Sequence, residues 1–208
     1  MWVIRITLLV VLGALVGVDS FLLRYRKKYS RLVESRAVNI AIVVAHLVVT
    51  YTLVTLPPAA GWNARPDWLQ HTAVRVGFAA TGTSLVCAGI GLSLCALRQR
   101  KAVGLQDAQN GLITSHAYRY FRHPLYTGVL WMSLGLALLT RNLDGLMVFP
   151  LIFVAYLTLM LLEERHYLGV RFEGQYKIYQ QTTRMFGLVW LWSGILVAIL
   201  LIAASAWL

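Results

Sequence analysis

The sequence predicts an all-α integral membrane protein of about six transmembrane helices, and three observations lead there. Of the 208 residues, 59% are hydrophobic and 13% charged, about half the charge usual in soluble domains. Several uncharged stretches approach or exceed the roughly 20 residues that cross a bilayer. Most Lys and Arg residues lie in the segments between those stretches. The spans use up nearly all the length, so no soluble domain of useful size fits. The net charge of +11 therefore concerns membrane topology, not nucleic acid.

Span 1 covers about Trp2 to Leu23 and is read as a retained span, since a basic leader and a small-residue cleavage site are missing. Gly13 and Gly17 share one of its faces, a spacing suited to close helix packing or a homodimer. A basic block follows: Arg24, Arg26, Lys27, Lys28, Arg31 and Arg36. Span 2 runs from about Ala37 to Leu56 with His46 near its middle, expected as a neutral, structural histidine bonded to a neighbouring helix. Pro57 and Pro58 open a loop in which Trp62 and Trp68 suit the membrane interface.

Span 3 runs from about Thr72 to Leu97 and holds Gly77, Gly82, Gly89 and Gly91; Gly89-Ile90-Gly91 lies within an apolar helix, where helix packing is at least as good a reading as a fragment of a dinucleotide motif. Cys87 and Cys95 both fall inside it, with neither disulfide-framework nor metal-site spacing. Span 4 (about Pro124 to Thr140) and span 5 (about Gly145 to Leu162) are joined by only Arg141-Asn142-Leu143-Asp144, which forces an antiparallel helical hairpin. Span 6, Gly187 to Leu208, carries no charge. The expected organisation is thus 1–111 for the first three spans and their following loop, 112–186 for a core, and 187–208 for a last span.

The loops after spans 1, 3 and 5 carry six, five and four Lys or Arg, fifteen of the nineteen in the chain. The positive-inside rule puts those loops in the cytoplasm and both termini on the other side. Two polar motifs therefore share a face. In the first, Tyr118, Arg119, Tyr120, Phe121, Arg122 and His123 crowd ahead of Pro124, which suits the first turn of span 4. A helix N-terminus beside Arg122 and His123 is a ready place for an anionic group; a basic-aromatic interfacial anchor is the plainer alternative. In the second, Glu163 and Glu164 follow eighteen uncharged residues. Paired carboxylates at a membrane boundary call for a cationic partner, either Arg122, Arg165 or Arg171, or a ligand ammonium. Tyr167, Phe172, Tyr176 and Tyr179 then recur at nearly helical spacing, as an interfacial helix or a lid. Glu163-x-x-His166 is half of a di-iron motif without its second half, so no metal is expected. Phosphate-loop, zinc-protease and serine-hydrolase motifs do not occur.

Taken together, Leu112-Ile113-Thr114-Ser115-x-x-Tyr118-Arg119-Tyr120-x-Arg122-His123-Pro124-Leu125-Tyr126-x-Gly128 resembles the signature of the isoprenylcysteine carboxyl methyltransferase family. Glu163-Glu164-x-x-x-Leu168-x-x-x-Phe172-x-x-x-Tyr176-x-x-Tyr179 resembles its second motif. The wider clan includes phospholipid methyltransferases and, more distantly, NADPH-using sterol reductases. The resemblance implies S-adenosylmethionine as cofactor in a pocket at the cytosolic face, bound by Tyr118, Arg122, His123, Pro124, Tyr126, Glu163 and Glu164. Its ammonium would go to Glu163 and Glu164, its carboxylate to donors near Arg122 and His123, and its adenine under rings such as Tyr126. Arg119 and Arg184 would meet a carboxylate-bearing acceptor. His116-Ala117 stands where relatives carry Gly-Pro, and Met185-Phe186-Gly187 replaces a proline-containing ending, so the acceptor stays open: a lipophilic or lipid-linked carboxylate, thiol or amine. A reductase and a non-catalytic membrane scaffold are the competing expectations.

Overall fold

The computed structural model describes residues 1–25, 28–29, 35–57, 71–103 and 111–186. The described residues are all-α: α1 (Trp2–Arg24), α2 (Arg36–Thr55), α3 (Thr72–Val103), a short α4 (Ala117–Tyr120), α5 (Pro124–Leu139), α6 (Leu143–Glu163), a π-helical turn (Glu164–Leu168) and α7 (Gly169–Thr182). Three of these are long and apolar enough to cross a bilayer: Trp2–Arg24, Thr72–Gln99 and Leu143–Thr182. The apolar parts of α2 (Ile40–Thr55) and of α5 (Pro124–Leu139) are shorter. The expected sixth span (187–208), the interfacial Trp62 and Trp68, and most of the loop joining α3 to the first motif lie outside the described residues.

Local chemistry sets the helix ends. Ser35 accepts a hydrogen bond from the Val38 N–H at the start of α2, and Asn142 does the same for Gly145 in α6. Asp144 in the first turn of α6 opposes the helix dipole favourably. Arg141 takes a positive φ of 50°, and the Asn142 N–H returns to the Ala137 carbonyl, which closes α5 and reverses the chain. The predicted hairpin is therefore present, and Tyr126 of α5 faces Tyr156 of α6 across it at 5.9 Å.

The core lies between α2, α5 and α6, where Leu53, Val54, Leu130, Ala137, Phe149, Ile152 and Met160 are fully buried. α1 docks on this core through Leu8, Leu9, Leu12 and Leu15. At the hairpin end the Arg5 guanidinium donates to Asp144 at 2.7 Å and to the Leu56 carbonyl at 2.8 Å. The Asn142 amide donates to the Val54 and Leu56 carbonyls beside it. One buried polar clasp thus ties the start of α1, the end of α2 and the start of α6.

The seam between α3 and α5 is made by glycines. A Cβ on Gly89 would lie 2.6 Å from the Gly128 carbonyl oxygen, and one on Gly135 would lie 2.7 Å from that of Gly82. Backbone meets backbone at both levels, seven residues apart on each helix, so Gly89 packs as expected and Gly82 packs with it. Among the described residues, Gly77 and Gly91 have nothing within 4 Å, and neither have Gly13 and Gly17. Gly128→Ala is therefore expected to cost about 1–3 kcal/mol through overpacking, read as a lower thermal midpoint in detergent. Gly91→Ala, with open space around it, should leave the midpoint unchanged or raised.

Candidate active site

Two segments distant in sequence are stitched together at the end of the bundle opposite the hairpin. His116, at φ 52°, turns the chain into α4, which buries Ala117 and Tyr118. Phe121 is extended and forms a parallel bridge with Arg184. The Arg122 N–H donates to the Arg184 carbonyl at 2.9 Å, and the His123 N–H to that of Met185 at 3.3 Å. Pro124 then occupies the first turn of α5, where a missing N–H costs nothing. The second motif arrives from α6. The π turn after Glu163 lets one extra residue into the helix, and it carries Glu164 inward to 8% exposure. Gly169 permits the bulge, because a Cβ there would sit 2.8 Å from the Glu164 carbonyl oxygen.

Glu164 is the hub. Its Oε1 accepts from Arg122 Nε at 2.8 Å and lies 3.0 Å from His123 Nε2. Its Oε2 accepts from Gln180 Nε2 at 2.9 Å and from Arg122 at 3.4 Å. Arg122 spends its remaining fork on the carbonyls of Thr183 (2.6 Å) and Gln180 (3.1 Å), two acceptors left over at the C-terminus of α7. The second carboxylate, Glu163, lies 3.7 Å from His123 Nδ1, so this imidazole is bracketed by both acids. The His123 ring in turn stands 5.8 Å from that of Tyr126. The Tyr179 hydroxyl donates to the Tyr118 carbonyl, which pins α7 onto the first motif.

Among the candidate residues, Tyr118, Arg122, His123, Pro124, Tyr126, Glu163 and Glu164 are thus brought into one cluster. Of the cations considered for the carboxylates, Arg122 pairs with Glu164. Arg171 instead lies over the Tyr167 and Phe172 rings, 5.6 Å from each centroid. Both Glu164 oxygens accept protein donors. Arg119 and Arg184 are exposed. Arg119 lines an open cleft of about 420 Å³ with Thr114, Gln175, Ile178, Tyr179, Thr182 and Thr183. Gln180, the Thr183 carbonyl and the π turn were not anticipated. They follow from α7 folding back on α4, and no local pattern announces that.

Phospholipid methyltransferase is the description of the family model that matches residues 78–173. No curated protein and no solved structure matches the chain. The matched stretch is a little under half of the chain; it holds the glycine seam, the hairpin and both motif centres, and it stops before Tyr176, Tyr179, Gln180 and Arg184. It supports a membrane methyltransferase in general, and methyltransferases of that family generally use S-adenosylmethionine. Over residues 78–173 the chain is thus similar to phospholipid methyltransferases, in agreement with the clan that the two motifs resemble.

Proposed function

We propose that the protein is a membrane methyltransferase that uses S-adenosylmethionine to methylate a lipophilic or lipid-linked acceptor. The observation that carries this reading is the convergence of Arg122 and His123 on Glu164 and Glu163. The cluster suits an amino-acid-bearing cofactor in its donor set: acids for an ammonium, and cations with the start of α5 for a carboxylate. When bound, the cofactor supplies an electrophilic methyl group on a sulfonium. This chain's residues have to orient it and keep water out, and covalent catalysis by a side chain is not required.

Glu164 and Arg122 hold the wall of the site, and Glu163 is the acid assigned to the ammonium. Tyr126 and Tyr118 offer aromatic surface to the adenine. Arg119 and Arg184, both exposed, are assigned to an anionic group on the acceptor. The motif core (112–186) forms the catalytic part, with 1–111 supporting it and 187–208 as a further anchor. The site face is cytoplasmic by the distribution of basic residues, and the open face around Gly13 and Gly17 is the homodimer surface.

Calorimetry on the detergent-purified protein tests this. Micromolar binding of S-adenosylmethionine or S-adenosylhomocysteine, with none for NADPH, is expected. NADPH binding alone would turn the reading to a reductase, and silence from all three in folded protein to a scaffold. Glu163→Gln should weaken the adenosyl ligands by about 1.5–3 kcal/mol, the range for a hydrogen bond to a charged group. Unchanged affinity would remove Glu163 from the ammonium site.

A further inference from the structure

Next to the cluster, the two N-terminal helices contribute a second set of ionisable groups outside the family match. His46 of α2 is 5% exposed. Its Nδ1 lies 3.0 Å from the Ile42 carbonyl. A carbonyl only accepts, so Nδ1 carries the hydrogen, and in the neutral ring Nε2 presents a bare lone pair. That Nε2 is buried and makes no hydrogen bond among the described residues, and what faces it at 3.6 Å is the Asp19 carboxylate of α1. Two acceptors therefore face one another with no donor between them, an arrangement that one proton, or a group bearing one, would relieve.

The pair is continuous with the candidate site. The rings of His123, Tyr126, Tyr156 and His46 follow one another at 5.8, 5.9 and 6.3 Å. Asp19 lies within electrostatic reach of Glu163. The groups facing the pair are Tyr156 and Glu163 from α6, with the Tyr156 hydroxyl 3.2 Å from Thr50 of α2, and His123 beyond Tyr126 on α5. Tyr156 is seven residues before Glu163, roughly 10 Å deeper along α6, on the side from which a lipophilic acceptor arrives.

Resting on the methyltransferase reading, we propose that His46, oriented by the Ile42 carbonyl and faced by Asp19, accepts the proton that the acceptor loses during methyl transfer. The acceptor then arrives carrying the proton it must lose, as an ammonium or a thiol, and not as a carboxylate. The N–H or S–H bond breaks and its proton passes to His46 Nε2. The freed electron pair forms the bond to the methyl carbon, and the methyl–sulfur bond breaks with its pair staying on sulfur. Asp19 stabilises the imidazolium so formed.

The test uses the full chain in neutral-lipid nanodiscs, with dodecylamine, dodecanethiol and dodecanoate as acceptors. Without cofactor, His46→Gln and Asp19→Asn should weaken binding of the amine or the thiol by at least about tenfold, while S-adenosylhomocysteine affinity stays unchanged. With cofactor, His46→Gln should lower kcat by at least about tenfold near pH 7. It should recover toward wild type near pH 9, where solvent supplies about 100-fold more of the free base of a group with a pKa near 10. Recovery in the amine arm but not the thiol arm, or the reverse, identifies the nucleophile. Unchanged acceptor binding in both variants, a loss of kcat equal at every pH, or a wild type that methylates only dodecanoate would overturn the proposal. Should His46→Gln not fold, Asp19→Asn carries the same readings. A wild type that binds neither adenosyl ligand defeats the methyltransferase reading itself.

Discussion

Arg122→Ala is expected to lower the stability of the folded protein by about 3–5 kcal/mol, the cost of leaving a buried carboxylate without its cation. The guanidinium holds Glu164 with two nitrogens and satisfies the Thr183 and Gln180 carbonyls with a third. Its removal strands an acid at 8% exposure and frees the C-terminus of α7 at once. Arg122→Lys should recover only part of the loss, because a single ammonium cannot reproduce a fork that serves three residues. Glu164→Gln should cost less than Arg122→Ala, since the amide still accepts one hydrogen bond and carries no charge to strand. Thermal unfolding in detergent of the three variants, read with adenosyl-ligand affinity, checks this ordering. Equal midpoints for wild type and Arg122→Ala would mean that the pair does not hold the segment.

The second large effect is expected at the other end of the bundle. Arg5→Met should cost about 3–5 kcal/mol, because Asp144 would keep its charge at a site from which water is excluded. The ion pair is fully buried, with side-chain exposures of 0% and 1%. The double variant Arg5→Met with Asp144→Leu should regain most of that stability, since neither charge is left and both side chains pack against apolar neighbours. Single and double variants compared by the same melting measurement give the coupling directly. A double variant no better than either single one would show that Arg5 acts through its bond to the Leu56 carbonyl instead. This clasp lies far from Glu164, so adenosyl-ligand affinity should follow folding and nothing else.

Hydropathy, charge distribution and spacing made much of this molecule legible. The hairpin was readable because a four-residue link between two apolar runs leaves no other geometry, and Pro124 marked the start of α5 by its missing N–H. Gly89 was readable as a packing position; Gly82 and the partners Gly128 and Gly135 depend on the register of two helices and could not be named from the chain. The two motifs announced themselves because charges at the mouth of an apolar run are costly unless something meets them.

What meets them was a different matter. Arg122, Arg165 and Arg171 are equivalent on paper as partners for Glu164. The π turn at Glu164–Leu168 and the bridge between Phe121 and Arg184 choose Arg122, and the Tyr167 and Phe172 rings take Arg171. His46 read as a structural histidine in an apolar helix, and nothing along span 1 singled out Asp19 or Arg5. Only packing shows that one aspartate faces a bare imidazole nitrogen and that the arginine finds Asp144. The sequence by itself determined the class of molecule, the hairpin and the residues that would need partners, because bilayer burial penalises unpaired charge and backbone locally. The tertiary structure alone decided which partner each received. For Arg122 with Glu164 and for Arg5 with Asp144 that choice joins residues 42 and 139 positions apart, and no pattern along the chain encodes a distance in space.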